Sequence, residues 1–502
     1  MDKIGIFDFG GQYCHLIARR IRDLGVYADI IYEPSDEYKG FILSGGPGDV
    51  YTDQAPKLPE NFFLDVEVPV LGICYGHQMI AQAHGGEVKK GEEREYGKKI
   101  AELDSSSPLF FNLSKREQVW MSHFDQVAKL PDNFETIGKT NICPIAAYQN
   151  LEKNVFGVQF HPEVIHTPSG DRILENFIEI TESKKEWKLE GWVESKIDQL
   201  RSEIKDKRVI MGTSGGVDSS VAAVLLSKAD INAHFIYVDT GLMRSKETEE
   251  VSNIFKNLGI ENFHVVEAED EFLDNLIGII NPEEKRKIIG RKFIEIFERE
   301  AKKIGNFDYL GQGTIYPDRI ESAQPSKHAS IIKTHHNVGG LPEKMSLNLV
   351  EPLKELYKDE VRRIGKMLGL PEKFINRHPF PGPALAIRIL GEVTKDRVKI
   401  LRNADAIVTE IIEASGLYNQ LWQIFPALIT VKSVGVMGDK RTYDYMITIR
   451  AVESIDAMTA DWSKLPYSVL EEISNQIINK VSGINRVLYD ITSKPPGTIE
   501  YE

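Results

Sequence analysis

Cys74 stands in the run Pro69-Val-Leu-Gly-Ile-Cys-Tyr-Gly-His-Gln78, an apolar strand that breaks at glycines and restarts as a helix. Gly72-x-Cys74-x-Gly76 has the spacing of a nucleophile elbow, with sulfur where a serine oxygen is usual. Residues two before and two after the nucleophile must be small, because so sharp a turn brings them together. A thiol at a helix start faces the first N–H groups and the positive end of the helix dipole, which favour thiolate. The Tyr75 N–H then points where an oxyanion would form, and the glycine loop Ser44-Gly-Gly-Pro-Gly48 offers a second donor. Phe160-His-Pro-Glu163 supplies a base: His161 takes the thiol proton and Glu163 orients the ring. A lone cysteine is most often a buried small hydrophobe. Elbow, glycine loop and His-x-Glu together reverse that reading for Cys74. Cys14 and Cys143 lack such surroundings and read as structural, and the three cysteines make neither a disulfide framework nor a zinc spacing.

A second constellation lies in Arg208-Val-Ile-Met-Gly-Thr-Ser-Gly-Gly-Val-Asp-Ser-Ser220, again strand, glycine turn and helix start. Successive N–H groups in such a turn make an anion nest, reinforced by the helix dipole. Ser214, Ser219 and Ser220 add hydroxyls, and Asp218 is placed to hold magnesium beside phosphates. No Gly-Lys-Ser/Thr follows, so this is not a Walker loop, and the glycine spacing is wrong for a dinucleotide fingerprint.

The elements that position these groups alternate. Lys3–Phe7, Ala28–Tyr32, Gly40–Leu43 and Pro69–Ile73 read as strands, and Cys14–Leu24 and His77–His84 as helices, which predicts a mainly parallel sheet with crossover helices. Ile180–Lys207, charged and weakly amphipathic, reads as a connector over the surface. A second alternating block runs from Arg208. It contains a helix from Pro282, with Asn281 as N-cap and an apolar stripe of Ile289, Phe293, Ile296 and Phe297. The prolines of His378–Pro383 mark a boundary, beyond which strands (Thr430–Met437, Tyr443–Arg450) and a helix (Tyr467–Val481) mix as α+β.

With 502 residues, three domains are expected: 1–183, 184–379 and 380–502. A formal charge of −14 disfavours nucleic acid as a partner, and no apolar run of transmembrane length or secretory signal occurs. The chain reads as cytoplasmic.

Ser44-Gly-Gly-Pro47, Gly72-Ile-Cys-Tyr-Gly76 and Gly157-Val-Gln-Phe-His-Pro-Glu163 resemble the three signatures of class I glutamine amidotransferases. The resemblance implies that Cys74, His161 and Glu163 hydrolyse glutamine through a thioester and release ammonia, with the N–H groups of Gly46 and Tyr75 as oxyanion hole. Ser214-Gly-Gly-Val-Asp-Ser-Ser220 resembles the loop of N-type ATP pyrophosphatases, which adenylate a substrate oxygen. That implies a parallel-sheet nucleotide domain in which Ser214, Gly215, Gly216, Val217, Asp218, Ser219 and Ser220 bind ATP with Mg2+. Asp239, at the next strand end, is then either on the nucleotide side or a turn cap.

Five further stretches resemble the GMP synthetase family. They are Lys285–Gly290, Gly311–Asp318, Ile332–Pro342, Arg377–Pro383 and Asp490–Glu500. This implies XMP as the ammonia acceptor, contacts to it from Arg286, Lys494, Ile499 and Glu500, and a homodimer built through the last domain. Without the resemblance, Lys285–Lys287 would read as a solvated helix face and the Ser493–Thr498 stretch as a frayed tail. His335-His336 reads as part of a mobile loop over the nucleotide, since no third metal ligand is spaced nearby. Departures from the family pattern are Gly11 for serine, His15 for glutamine, and Phe124 and Ala384 for glycines. A glutamine-dependent NAD synthetase shares the pyrophosphatase loop, but its nitrilase-type amidase lacks the Gly-Ile-Cys-Tyr-Gly elbow. A tRNA-modifying enzyme would want a basic surface or paired cysteines.

Overall fold

The computed structural model describes residues 1–502 apart from Asp53, Glu60, 324–346 and 455–458. The chain divides into two compact units, Met1–Trp192 and Val193–Glu502. The first unit runs β1 (Lys3–Phe7), α1 (Cys14–Asp23), β2 (Tyr27–Ile31), β3 (Tyr38–Leu43), α2 (Phe62–Asp65), β4 (Val70–Ile73) and α3 (Tyr75–Ala83). A long hairpin follows, β5 (Glu87–Leu103) with β6 (Arg116–Lys129), then β7 (Glu135–Lys139), β8 (Ala147–Asn150), β9 (Val155–Val158) and α4 (Gly170–Ile180). These strands form one sheet of nine in the order β2-β1-β3-β4-β9-β8-β7-β5-β6. It is parallel from β2 to β9 and antiparallel beyond. Every residue of β4 and β9 is buried, as expected for strands covered on both faces.

The antiparallel half departs from the predicted parallel sheet, for a physical reason. On β6 the buried residues alternate as Val119, Met121, His123, Asp125 and Val127, so two polar side chains interrupt the apolar period. Its partner β5 is rich in Glu and Lys and has the composition of an exposed helix. The connector reading is also corrected. Helix covers Leu189–Ile204 (α5) rather than the whole stretch, and Trp187, Leu189, Trp192, Val193, Leu200 and Ile204 are buried. Trp187 packs on Tyr27, and the Arg22 guanidinium lies over both rings.

The second unit continues with β10 (Val209–Thr213), α6 (Val217–Lys228), β11 (Ala233–Asp239), α7 (Glu247–Asn257), β12 (Phe263–Glu267) and α8 (Glu269–Asn275). Next come α9 (Pro282–Ile304), β13 (Tyr309–Gly311), α10 (Tyr316–Ala323), β14 (Asn348–Val350), α11 (Lys358–Met367) and α12 (Glu372–Ile375). The last part holds β15 (Ile389–Leu390), α13 (Lys395–Ala414), β16 (Gln423–Met437), β17 (Lys440–Glu453), β18 (Asp461–Trp462), α14 (Tyr467–Lys480) and β19 (Ile484–Tyr489). A parallel sheet has the order β12-β11-β10-β13-β14, and a mixed sheet is built on the β16–β17 hairpin. One apolar core runs from Ile210 and Ile236 through Leu385 and Leu401 to Ile449 and Ile473, so both sheets share it. The helix α9 starts as read from its sequence: Asn281 Oδ1 accepts from the N–H groups of Glu283 and Glu284 at 3.0 and 3.1 Å. The His335-His336 loop lies outside the described residues.

Candidate functional site

Between the last residue of β4 and the first of α3, Cys74 alone makes the turn, with φ 53° and ψ −103°. A non-glycine residue holds such a conformation only where its surroundings impose it. Here the imposition is visible. A Cβ on Gly72 would come within 2.6 Å of the Gly76 carbonyl carbon, and one on Gly76 within 2.3 Å of the Leu43 oxygen. The turn is pinned by Cys74 N–H donating to Val158 O (2.9 Å) and Gly76 N–H to Ser44 O (3.1 Å).

His161 follows β9. Its N–H donates to Trp120 O at 3.0 Å, and its carbonyl accepts from the Thr167 hydroxyl at 2.7 Å. Nδ1 lies 2.7 Å from Glu163 Oε1, with both side chains buried. Burial alone would lower the imidazole's pKa, but the negative charges of Glu163 and Cys74 outweigh it and raise it to about 10. The thiol and the ring meet over the glycine loop. A Cβ on Gly45 would lie 3.2 Å from His161 Cε1 and 3.7 Å from Cys74 Cβ. One on Gly46 would lie 3.2 Å from Tyr75 Cγ, so the glycine loop packs against the Tyr75 side chain. As the first residue of α3, Tyr75 has no acceptor for its N–H within the helix. The arrangement can hold an imidazolium beside a sulfur nucleophile in a water-poor site.

Two contacts to sulfur were not read from the sequence. Gln159 Nε2 donates to Cys74 Sγ at 3.7 Å, and Sγ lies 3.9 Å from Ser122 O. Gln159 is itself held by Gln78, whose Nε2 donates to Gln159 Oε1 (3.1 Å) and Asp125 O (2.8 Å). Both glutamines lie inside the quoted motifs; a buried amide between two such motifs was the available signal. Gly11 has a steric cause, because a Cβ there would sit 2.2 Å from Gly45 O. Phe124 stacks under Arg94 (5.5 Å), and burial foremost lowers the pKa of His15.

In the second unit, Ser214–Gly216 join β10 to α6. Gly215 has φ 74°, and a Cβ there would press Val251 and Tyr237 at 3.0 and 3.1 Å. Ser214 Oγ accepts from Gly216 N–H at 3.3 Å and lies 3.2 Å from Ser219 Oγ. Gly216 is the N-cap of α6 without any side-chain cap, so the helix start faces outward. Two buried atoms here, Asp218 Oδ1 and Ser220 Oγ, have no hydrogen-bond partner among the described residues. The other Asp218 oxygen pairs with Lys358 Nζ at 2.5 Å. An orphan carboxylate oxygen beside an anion nest suits a divalent cation accompanying a nucleotide. Asp218 would hold it, and the ion would neutralise charge on the phosphates. Gly313 packs against this helix start, its Cβ position 3.1 Å from Ser219 N. Asp239 caps its own turn, accepting from Gly241 N–H (2.9 Å) and Thr248 Oγ1 (2.6 Å). It also lines a cavity of about 480 Å³ with Arg244, Lys246, Glu269 and Arg402.

Comparison with known proteins decides between the readings. The class-I glutamine amidotransferase family model matches residues 5–180, the NAD synthase model residues 188–275, and the GMP synthase C-terminal domain model residues 410–501. The glutamine-hydrolysing GMP synthase of Aquifex aeolicus is 51% identical, with 99% of both chains covered. That of Clostridium kluyveri is 51% identical over 100% of this chain and 99% of its own. The Thermosipho africanus protein of the same name is 50% identical over the full length of both. The chain belongs to the glutamine-hydrolysing GMP synthase family. It is a glutamine-dependent ligase with an amidotransferase fold and a pyrophosphatase-loop domain. The NAD synthase match is confined to that loop domain and its approach. Among the described residues no helix is long and apolar enough to cross a membrane.

The GMP synthase motifs at the end of the chain are tied down rather than frayed. Glu500 accepts from Arg388 Nη2 and Nε (2.8 and 3.1 Å) and from Gln423 (2.7 Å); Arg388 is fully buried. Tyr501 donates to Asp490 at 2.8 Å, and Arg450 holds the Thr498 carbonyl at 2.9 Å. Lys494 bridges backbone to Ala460 (3.1 and 2.7 Å), and Ile499 is half-buried. The Lys285–Lys287 run splits by helix position. Lys287 is exposed, while Lys285 is fully buried, donating to Ile389 O at 2.8 Å and pairing with Glu502. The solvated-face reading therefore fails at Lys285. Arg286 donates to the Glu502 carbonyl. Ala384 adopts φ 55°, a left-handed conformation that favours glycine.

Proposed function

We propose that the chain converts XMP to GMP, with glutamine as nitrogen donor and ATP cleaved to AMP and pyrophosphate. Cys74 attacks the glutamine side-chain carbonyl, the oxyanion rests on the Gly46 and Tyr75 N–H groups, and His161 passes its proton to the departing ammonia. Water then opens the thioester, with His161 as base and Glu163 holding the ring. In the second unit the C2 oxygen of XMP attacks the α-phosphorus of ATP and pyrophosphate leaves into the Ser214–Ser220 loop. Ammonia then displaces AMP from C2.

Mg2+ at Asp218 is the cation this reading expects, with Asp239 on the nucleotide side. Arg286 and Lys494 suit the XMP phosphate, while Ile499 and Glu500 suit the purine. Glu500 would trade Arg388 and Gln423 for purine N–H groups. Residues 1–183, 184–379 and 380–502 act as amidotransferase, adenylating and XMP-binding parts. The last also makes a cytoplasmic homodimer.

The observation that carries the reading is the presence in one chain of a buried Cys74, His161 and Glu163 set and of a nucleotide loop whose Asp218 Oδ1 and Ser220 Oγ have no partner among the described residues. A steady-state assay with XMP, ATP, magnesium and glutamine, following AMP and GMP, tests it. Equal amounts of both products are expected. No XMP-dependent AMP, even with ammonium salts supplied, would overturn it.

A further inference from the structure

The β5–β6 hairpin carries polar side chains that glutamine hydrolysis does not use. Glu95 and His123 are cross-strand partners in register, and Cys143, from the segment between β7 and β8, closes on them. One Glu95 oxygen, a His123 ring nitrogen and Cys143 Sγ all lie within 4.8 Å of one another. Their residues are only 1%, 6% and 0% exposed.

The hydrogen-bond pattern at His123 leaves a charge unaccounted for. Nδ1 lies 2.9 Å from the Asp125 carbonyl oxygen. A carbonyl only accepts, so Nδ1 carries the hydrogen, and the neutral ring therefore presents a lone pair at Nε2. Yet Nε2 faces another acceptor, Glu95 Oε2, at 3.2 Å. Two acceptors that close, in a buried site, need a positive charge between them. A shared proton would serve, and so would a metal cation. Cys143 separates the two. A thiol adds nothing to a shared-proton pair, whereas thiolate, imidazole and carboxylate are together a zinc ligand set.

Geometry and charge agree with that choice. Ligand atoms about 2.0–2.3 Å from a tetrahedral zinc stand roughly 3.4–3.6 Å apart; here His123 Nε2 and Glu95 Oε2 are 3.2 Å apart, and the three ligand atoms lie within 4.8 Å of one another. One thiolate and one carboxylate neutralise a dication, so the loaded site buries no net charge. The outer partners are also in place. Thr140 Oγ1 donates to the second Glu95 oxygen at 2.8 Å, and the Asp125 carbonyl fixes the imidazole tautomer.

We propose that Glu95, His123 and Cys143 bind a zinc ion, with water as fourth ligand, that staples the segment carrying Cys143 to the β5–β6 hairpin. The site reaches the reacting sulfur through named contacts. Asp125 O accepts from both His123 and Gln78, Gln78 holds Gln159, and Gln159 donates to Cys74. Zinc here is a positioning element for the nucleophile.

The test uses the full-length Cys74→Ala protein, so that the nucleophile cannot supply a thiolate, titrated with Co2+ alone. One equivalent should bind with tetrahedral d–d bands and a thiolate-to-cobalt charge-transfer band, and zinc should displace it. Adding Cys143→Ala should abolish the charge-transfer band. Glu95→Gln, which preserves volume, should weaken cobalt binding about tenfold or more. Absence of the charge-transfer band in the Cys74→Ala protein, or its survival in the Cys143→Ala double variant, overturns the site and leaves a proton shared by Glu95 and His123. The readout is metal binding, so it stands apart from whether glutamine is the substrate.

Discussion

The turns at Cys74 and at Ser214–Ser220 share one plan, a buried parallel strand, glycines and a helix start, yet they are built to opposite ends. In the first, the backbone around Cys74 is consumed: its N–H and that of Gly76 are bonded, and both flanking glycines are walled in by backbone. In the second, donors and acceptors are left spare: α6 starts without a side-chain cap, and among the described residues Asp218 Oδ1 and Ser220 Oγ have no partner. Covalent catalysis needs one atom held still, and strain at φ 53° is how sulfur is presented. Binding a polyanion needs many groups free to turn toward it.

The largest effect should come from the reacting atom itself. Cys74→Ala should lower glutamine-driven synthesis by roughly 10⁴-fold or more while ammonium-driven synthesis stays intact. Loss of both rates would mean that the two sites are not separable. Asp218→Ala should cut both rates by about 10²–10³-fold, because it removes the cation-binding oxygen from the shared step. Unchanged ammonium-driven turnover would remove Asp218 from its role.

Strain at the elbow shows in stability rather than in rate. Gly76→Ala would place a methyl group 2.3 Å from the Leu43 carbonyl, in backbone that cannot yield cheaply. It should cost about 3 kcal/mol or more, read as a lowered denaturation midpoint. A midpoint equal to the parent's would show the elbow to be looser than described.

Glu163→Gln removes the strongest of the charges that hold His161 near 10 against burial. Glutamine hydrolysis should fall about tenfold to a hundredfold, and the alkaline limb of its pH profile should move to lower pH. The sign for stability is fixed as well. A raised histidine stabilises the fold below its ordinary range near 6.5 and loses that contribution as pH rises through about 10. The parent's denaturation midpoint should therefore fall across this window, and the variant's should change less. An alkaline limb that does not move would separate His161 from Glu163.

How much was legible in the sequence differs between the same regions. The elbow and its His-x-Glu were readable because each is local: spacing alone states which backbone atoms must approach. Asn281 at the head of α9 was readable for the same reason. What stayed hidden depends on distant partners. The β5–β6 hairpin was masked by charge on β5 and by His123 and Asp125 on the buried face of β6. Trp187 and Trp192 looked like connector residues until aromatic and cationic partners were seen to bury Trp187. Arg388, fully buried against Glu500, carries no local sign at all, because its partner lies at the far end of the chain.

The smallest expected effect is the most discriminating for the comparison. Gly216 sits at φ −78° and ψ 164°, a conformation open to any residue, and among the described residues its Cβ would meet only the Ser214 hydroxyl at 3.2 Å. That hydroxyl can rotate away. Gly216→Ala should therefore change stability by no more than about 0.5 kcal/mol, against the far larger cost at Gly76. The methyl group would nonetheless stand over the N–H groups at the head of α6, so KM for ATP should rise with kcat nearly unchanged. A denaturation midpoint lowered as far as in Gly76→Ala would mean that the nucleotide loop is as closed as the elbow, and that spare donors are not what distinguishes it.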